Sequence, residues 1–243
     1  MERTIEQNGM GEEMKAAVIY ILLLLAVLPV RAQDDMEYRM EVGAGGGLMG
    51  YLGDFNGNLT KDLQPMGTVL LRYNFDTYKT MKLNVSYGKL KGNSKDVETY
   101  YPPYANNPYK VDNSLIDVGM TFEYNFLPYG TGKEYRGAKR LVPFVFGGFG
   151  ATFVSLKNSE KKSVFTANVP IGIGLKYKVG DRMNVGLEWA MHFSLSDELD
   201  GVKDPYGIPS KGAFKNTDCY HTLQVTFSYS FMAKCRVCHN QDE

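Results

Sequence analysis

Beyond residue 32 the sequence has no apolar run long enough to cross a membrane as a helix, which takes about 20 consecutive apolar residues. It also lacks a surplus of either charge, with 27 basic side chains against 27 acidic ones. That balance argues against a surface of clustered Lys and Arg that tracks phosphates, so nucleic acid is not an expected partner. Phosphate-cradling loops, paired catalytic carboxylates and metal-binding spacings are absent too, and neither a metal nor a cofactor is expected. No stretch is dominated by Ala, Leu, Glu and Lys in the manner of a long helix. What is plentiful is 17 Tyr, 13 Phe and 26 Gly, a composition that leans toward an all-β protein. The mean hydropathy of −0.28 is mildly polar. It decides little, because a membrane barrel alternates apolar and polar residues and averages out.

The first segment reads as an address. Lys15 precedes the apolar run from Ala16 to Leu28, and Val30 and Ala32 occupy the two small-residue positions of a signal-peptidase site. A positive start, a short apolar stretch and small residues at the cut define a secretory signal peptide, here residues 1–32. Met14 offers a second start within it, and Gln33, not Cys, follows the expected cut, which argues against a lipoprotein anchor. The exported chain is then either a soluble periplasmic protein or an outer-membrane barrel.

Period-two alternation, the mark of side chains on opposite strand faces, favours the barrel. Ile116, Val118, Met120, Phe122, Tyr124 and Phe126 fall on one face, with Asp117, Gly119, Thr121, Glu123 and Asn125 on the other. Leu223, Val225, Phe227, Tyr229 and Phe231 alternate in the same way with Gln224, Thr226, Ser228 and Ser230. Eight segments are expected near 38–51, 66–75, 80–91, 114–126, 141–155, 168–178, 182–194 and 219–231. The first is Gly-rich (Gly43, Gly45, Gly46, Gly47), and the fifth is apolar on both faces. Most exceed the 9–11 residues or so that a tilted strand needs to cross a bilayer. Long polar connections (52–65, 92–113, 156–167, 195–218) alternate with a second set (76–79, 127–140, 179–181), two of which are very short, while 127–140 is long for a periplasmic turn. Outer-membrane barrels have this asymmetry, with long outer loops and short periplasmic turns. An even strand number puts both termini in the periplasm. The expected architecture is an eight-stranded antiparallel transmembrane β-barrel over residues 33–231, followed by a periplasmic tail at 232–243.

Cost decides which face meets lipid. A Lys or Arg there near the midplane is destabilising by roughly 2–4 kcal/mol, so the polar face points inward. Arg72, Lys82, Asp117, Glu123, Lys176 and Glu188 would then form a lumen charge network, joined by Asn84 and Gln224. Eight strands leave an interior that side chains nearly fill, so the barrel should be plugged. A soluble barrel of lipocalin type, apolar inside and polar outside, is the competing architecture.

The segment from Glu41 to Asn56 resembles the opening of a family of Bacteroidetes outer-membrane barrels. The likeness continues in Leu71-Arg-Tyr-Asn74, Val85-Ser-Tyr-Gly-Lys89, Pro143-Phe-Val-Phe-Gly-Gly148, Pro170-Ile-Gly-Ile-Gly-Leu-Lys176 and Asn184-Val-Gly-Leu-Glu-Trp189. It closes with Tyr220-His-Thr-Leu and the Cys-containing tail. This family includes PorG of the type IX secretion system. The resemblance implies a structural role: a barrel in contact with outer-membrane lipid, tying a periplasmic ring of PorK-like lipoprotein and PorN-like protein to the membrane. A stand-alone barrel of OmpA or OmpW kind, with adhesive or small-ligand-binding loops, is the alternative.

Three further features need a reading. Cys235, Cys238 and His239 match a C-x-x-C-H haem-attachment pattern, but a dozen residues offer neither a wrapper nor a second axial ligand. Zinc would lack a fourth ligand. In an oxidising compartment Cys235 and Cys238 suit a disulfide, either with each other or as a tether to a partner, and Cys219 lies too far away at the outer end to join them. His192 and Ser194 resemble the His–Ser pair of PagL-type lipid A deacylases, yet the alternation turns both inward, away from lipid. An esterase is therefore not expected. Tyr100-Tyr-Pro-Pro-Tyr104 in the second long connection reads as a Tyr-rich surface loop.

Overall fold

The computed structural model describes residues 37–53, 58–93, 110–131, 137–157, 163–196, 199 and 218–233. Residues 1–32, read as a signal peptide, lie wholly outside the described residues. So do Cys235, Cys238 and the Tyr-rich stretch from Tyr100 to Tyr104.

Eight strands follow one another in chain order: β1 (Tyr38–Leu52), β2 (Gln64–Asn74), β3 (Lys79–Asn93), β4 (Lys110–Asn125), β5 (Leu141–Ser155), β6 (Ser163–Lys178), β7 (Met183–Ser194) and β8 (Cys219–Ala233). Each pairs antiparallel with its chain neighbour, and β1 pairs with β8 to close the barrel. Closure leaves no unpaired strand edge. The even number brings the start of β1 and the end of β8 to the same end, where the two tight turns at 75–78 and 179–182 also lie.

Two strands start four or more residues earlier than the alternation alone suggests. β4 begins at Lys110 rather than 114, and β6 at Ser163 rather than 168. Their partners explain the difference: Asn93 pairs with Lys110, and Ser155 with Ser163. The hairpins thus extend well into what composition marks as polar connections.

Along β3 the inward Thr80, Lys82, Asn84 and Ser86 are buried, while the outward Met81, Leu83, Val85 and Tyr87 are exposed. β4 repeats the pattern, with Asp117, Thr121 and Glu123 inside and Ile116, Val118, Met120 and Phe122 outside. This is the inverse of a soluble barrel. At the short-turn end, outward positions carry a ring of aromatics that includes Tyr73, Phe75, Phe126, Tyr177 and Tyr229, the kind of girdle found where a barrel meets a membrane interface.

The Gly cluster of β1 follows from how closely β8 approaches. A Cβ on the inward Gly47 would run into the Leu223 carbonyl oxygen, whereas the outward Gly46 has only the Met66 carbonyl at 3.4 Å. The crowding comes from the neighbouring backbone as well as from its side chains. Across the barrel, Pro170 lacks an N–H, and the β5–β6 ladder is interrupted between the pairs Gly147–Ile171 and Gly150–Asn168.

Candidate functional site

The lumen is filled in three layers. At the short-turn end the described parts of the β4–β5 connection, residues 126–131 and 137–140, fold back over the mouth. Tyr129 N–H donates to the Thr77 carbonyl at 3.0 Å, Lys139 N–H to the Pro128 carbonyl at 2.7 Å, and Gly130 N–H to the Lys139 carbonyl at 3.1 Å. Arg140 Nε adds a bond to the Thr131 carbonyl at 2.9 Å. These bonds hold the Tyr129 ring in the lumen, beneath Lys176 and Lys178, whose Nζ atoms lie 5.7 and 5.5 Å from its centroid. Burial pushes the Tyr129 phenol well above its ordinary range, and the nearby Glu41 carboxylate pushes the same way.

Above this cap a charge network crosses the barrel. Arg72 pairs with Glu188, with Glu123 at 3.3 Å and with Glu41 at 3.7 Å. Lys82 reaches Glu188 at 2.5 Å and Glu123 at 3.3 Å, and Lys176 reaches Glu123 at 2.5 Å. Gln224 Nε2 donates to Glu188, Asn74 Nδ2 and Ser228 Oγ donate to Glu41, and Lys176 donates to Asn125. The six charged groups come from β1, β2, β3, β4, β6 and β7. β5 contributes Phe144 and Phe146, over which Lys176 and Lys82 stand at 4.5 Å. Three cations and three anions, all buried, occupy the centre of the lumen.

Five of the residues expected from sequence meet here: Arg72, Lys82, Glu123, Lys176 and Glu188. Asp117 does not. It lies six residues from Glu123 on the same face of β4, about 20 Å along the strand at roughly 3.3 Å per residue, and belongs to a separate layer. Its Oδ1 accepts from Tyr220 Oη at 2.8 Å, Asn168 Nδ2 at 2.6 Å and Thr152 Oγ1 at 3.1 Å. Glu41 takes the third anionic place. It sits at the head of the Gly-rich strand, and the parity that points Gly43, Gly45 and Gly47 inward could have revealed it. Asn84 bonds to Ser86 at 3.5 Å rather than to a charge.

The third layer departs from the expectation of a polar inner face. Toward the long loops the lumen is closed by an apolar cluster that includes Met49, Tyr51, Leu90, Leu115, Val154 and Tyr220. Leu199, from the β7–β8 connection, packs into it, held by a bond from its N–H to Asp218 at 3.0 Å and by Asn113 on its carbonyl at 3.0 Å. An inward stripe must be polar only where charge can be paired. At the loop end, apolar packing fills the same space.

His192 and Ser194 both point into the lumen, and each has other partners. Ser194 Oγ lies 3.4 Å from Thr166 Oγ1 and accepts from Ser196 N–H at 3.1 Å. His192 Nε2 lies 3.4 Å from Thr222 Oγ1, and its ring stacks on Tyr220 at 4.4 Å. Cys219 opens β8 at the long-loop end as a free thiol.

A family model described as a domain of unknown function, DUF6089, matches residues 15–240. Among curated proteins none matches the sequence. Several solved structures are similar in fold. Neisserial surface protein A is 13% identical with a TM-score of 0.46, covering 79% of this chain and 97% of that one. Ail of Yersinia pestis, in complex with the heparin analogue sucrose octasulfate, is 10% identical with a TM-score of 0.48, covering 81% and 100%. The outer membrane enzyme PagL is 14% identical with a TM-score of 0.39, covering 79% and 99%.

Proposed function

The chain belongs to the DUF6089 family, and we propose that it serves as a sealed outer-membrane barrel with a structural, anchoring role. Export through residues 1–32, a Gram-negative outer membrane as destination and periplasmic termini are parts of this reading. An apolar exterior with an aromatic rim supports a lipid setting, since an apolar surface that wraps a whole barrel has to be covered.

The observation that carries the anchoring role is the buried network of Arg72, Lys82 and Lys176 with Glu41, Glu123 and Glu188. A lumen crossed by paired charges at its centre, and filled by Tyr129 below and an apolar cluster above, offers no transport path. What remains to act is the rim. Among the described residues the rim includes 126–131 and 137–140, bonded at the base of the β4–β5 connection and exposing Lys139 and Arg140. We assign this surface a PorG-like task in a type IX secretion system, in contact with the periplasmic PorK and PorN ring, with Cys235 and Cys238 as a disulfide tether to a partner.

Two measurements test this. Reconstituted in planar bilayers, the purified protein should show no ion-conducting steps; regular steps would end the sealed-barrel reading. Affinity isolation of the tagged protein from crosslinked cells of its own host should recover PorK-like and PorN-like proteins. Recovery of the barrel without them would favour a stand-alone barrel acting through its loops.

A further inference from the structure

One buried carboxylate on the lumen wall, Asp117, stands apart from the central set of three cations and three anions. Arg72, Lys82 and Lys176 are matched by Glu41, Glu123 and Glu188, and the remaining buried cation, Lys178, sits at the short-turn mouth bonded to Asn184. Asp117 is a buried carboxylate whose one ion-pair contact among the described residues is the imidazole of His192, with Nδ1 3.9 Å from Oδ2. Three donors fill Oδ1, but neither Oδ2 nor His192 Nδ1 has a hydrogen-bond partner. Nε2 faces Thr222 Oγ1. With the ring proton on Nε2, Nδ1 turns a lone pair toward the carboxylate; with the proton on Nδ1, 3.9 Å is still too long for a hydrogen bond to Oδ2. In both cases a buried carboxylate oxygen is left without a donor, which is costly unless positive charge stands beside it.

Both atoms belong to residues that line a lumen cavity with about 20 Å³ available to the centre of a water-sized particle. That is room for one or two such particles and for no organic ligand. Thr121 and Gln224 line it too, and their Oγ1 and Oε1 are also buried and unpartnered. The other charged groups on its wall, Lys82 from β3 and Glu188 from β7, already pair with each other at 2.5 Å. β5 and β6 contribute the uncharged Phe146 and Pro170.

We propose that this cavity binds a small monovalent cation, with Asp117 Oδ2 as its charged ligand. His192 Nδ1, the neutral oxygens on the wall and water complete its surroundings. A single carboxylate suits a single charge, and the described residues hold no cluster of three His, Cys, Asp or Glu side chains that would suit a transition metal. Tyr220 links the site to the loop end, since it donates to Asp117 and also packs in the apolar cluster. The bound ion therefore steadies the wall beneath the loops.

The test is thermal unfolding of the folded barrel in a non-ionic detergent, at constant ionic strength, in sodium, potassium or choline chloride. Choline is too large for the cavity. Sodium or potassium should raise the Tm saturably over choline, and Asp117→Asn, which keeps an acceptor for Tyr220 and Thr152, should abolish the difference. Equal Tm in all three salts, or a difference that survives in Asp117→Asn, overturns the proposal. If that variant does not fold, wild-type crystals grown in a thallium(I) salt decide. An anomalous peak beside Asp117 supports the site, and its absence there overturns the proposal.

Discussion

Replacing Arg72 with Met removes a cation that touches three carboxylates at once, and the structure says which of them suffers. Glu188 keeps Lys82 at 2.5 Å, and Glu123 keeps Lys82 at 3.3 Å and Lys176 at 2.5 Å. Among the described residues Glu41 keeps only the neutral donors Asn74 and Ser228 within hydrogen-bonding distance, at 3.1 Å each. The variant thus buries two cations against three anions, with Glu41 as the orphan. Breaking a buried ionic set by removing one partner typically costs about 3–5 kcal/mol, because the stranded charge cannot recover its water. Arg72→Met should lose that much stability. Arg72→Met with Glu41→Gln, which restores a balance of two against two, should regain most of it. Urea unfolding in lipid vesicles, followed through Trp189, the single tryptophan, measures both. The reasoning is refuted if the single variant costs less than about 1 kcal/mol, or if the double variant is no more stable than the single.

Two other substitutions probe the outside and the wall. Val118→Arg places a charge on the outward face near the middle of β4 and should cost about 2–4 kcal/mol in vesicles. A water-facing surface position would tolerate it to within about 0.5 kcal/mol, so a neutral result would remove the bilayer from the account. Gly47→Ala puts a methyl group against the Leu223 carbonyl and should cost about 1–3 kcal/mol through overpacking. Gly46→Ala, on the opposite face, should be close to neutral in the same unfolding assay, and equal effects at the two positions would contradict the inward turn of the odd-numbered glycines.

Strand number, order and facing were legible because a barrel repeats one rule. In β4 the alternation of Ile116, Val118 and Met120 with Asp117, Gly119 and Thr121 places every side chain inside or outside, and the structure keeps that assignment. The ends were less legible. Inward Leu90, Leu115 and Val154 interrupt the polar stripe near the loops, where the lumen is closed by apolar packing. Nothing local in those residues distinguishes a strand tip over an apolar plug from one that opens to water. The cap formed by Tyr129 was hidden for a similar reason, since its burial depends on bonds to Thr77 and Lys139 that a local pattern does not encode.

Parity gives the face of a residue but not its height, and height decides which lumen charges meet. Where a tight turn joins two strands, the turn sets the register: the connection at 75–78 leaves Asn74 opposite Thr80 and so puts Arg72 opposite Lys82. The connection at 179–182 likewise pairs Lys176 with Gly186, one inward step from Glu188. These members of the network can be aligned by counting from the turns. β4 is joined to its neighbours by a long loop on one side and a 15-residue connection, 126–140, on the other, so its height is free until the whole barrel closes. That freedom is why Glu123 and Asp117, identical in parity and charge, could not be separated in advance. Closure lifts Asp117 away from the three cations and leaves it facing His192, and this displacement creates the unmatched carboxylate on which the cation site rests.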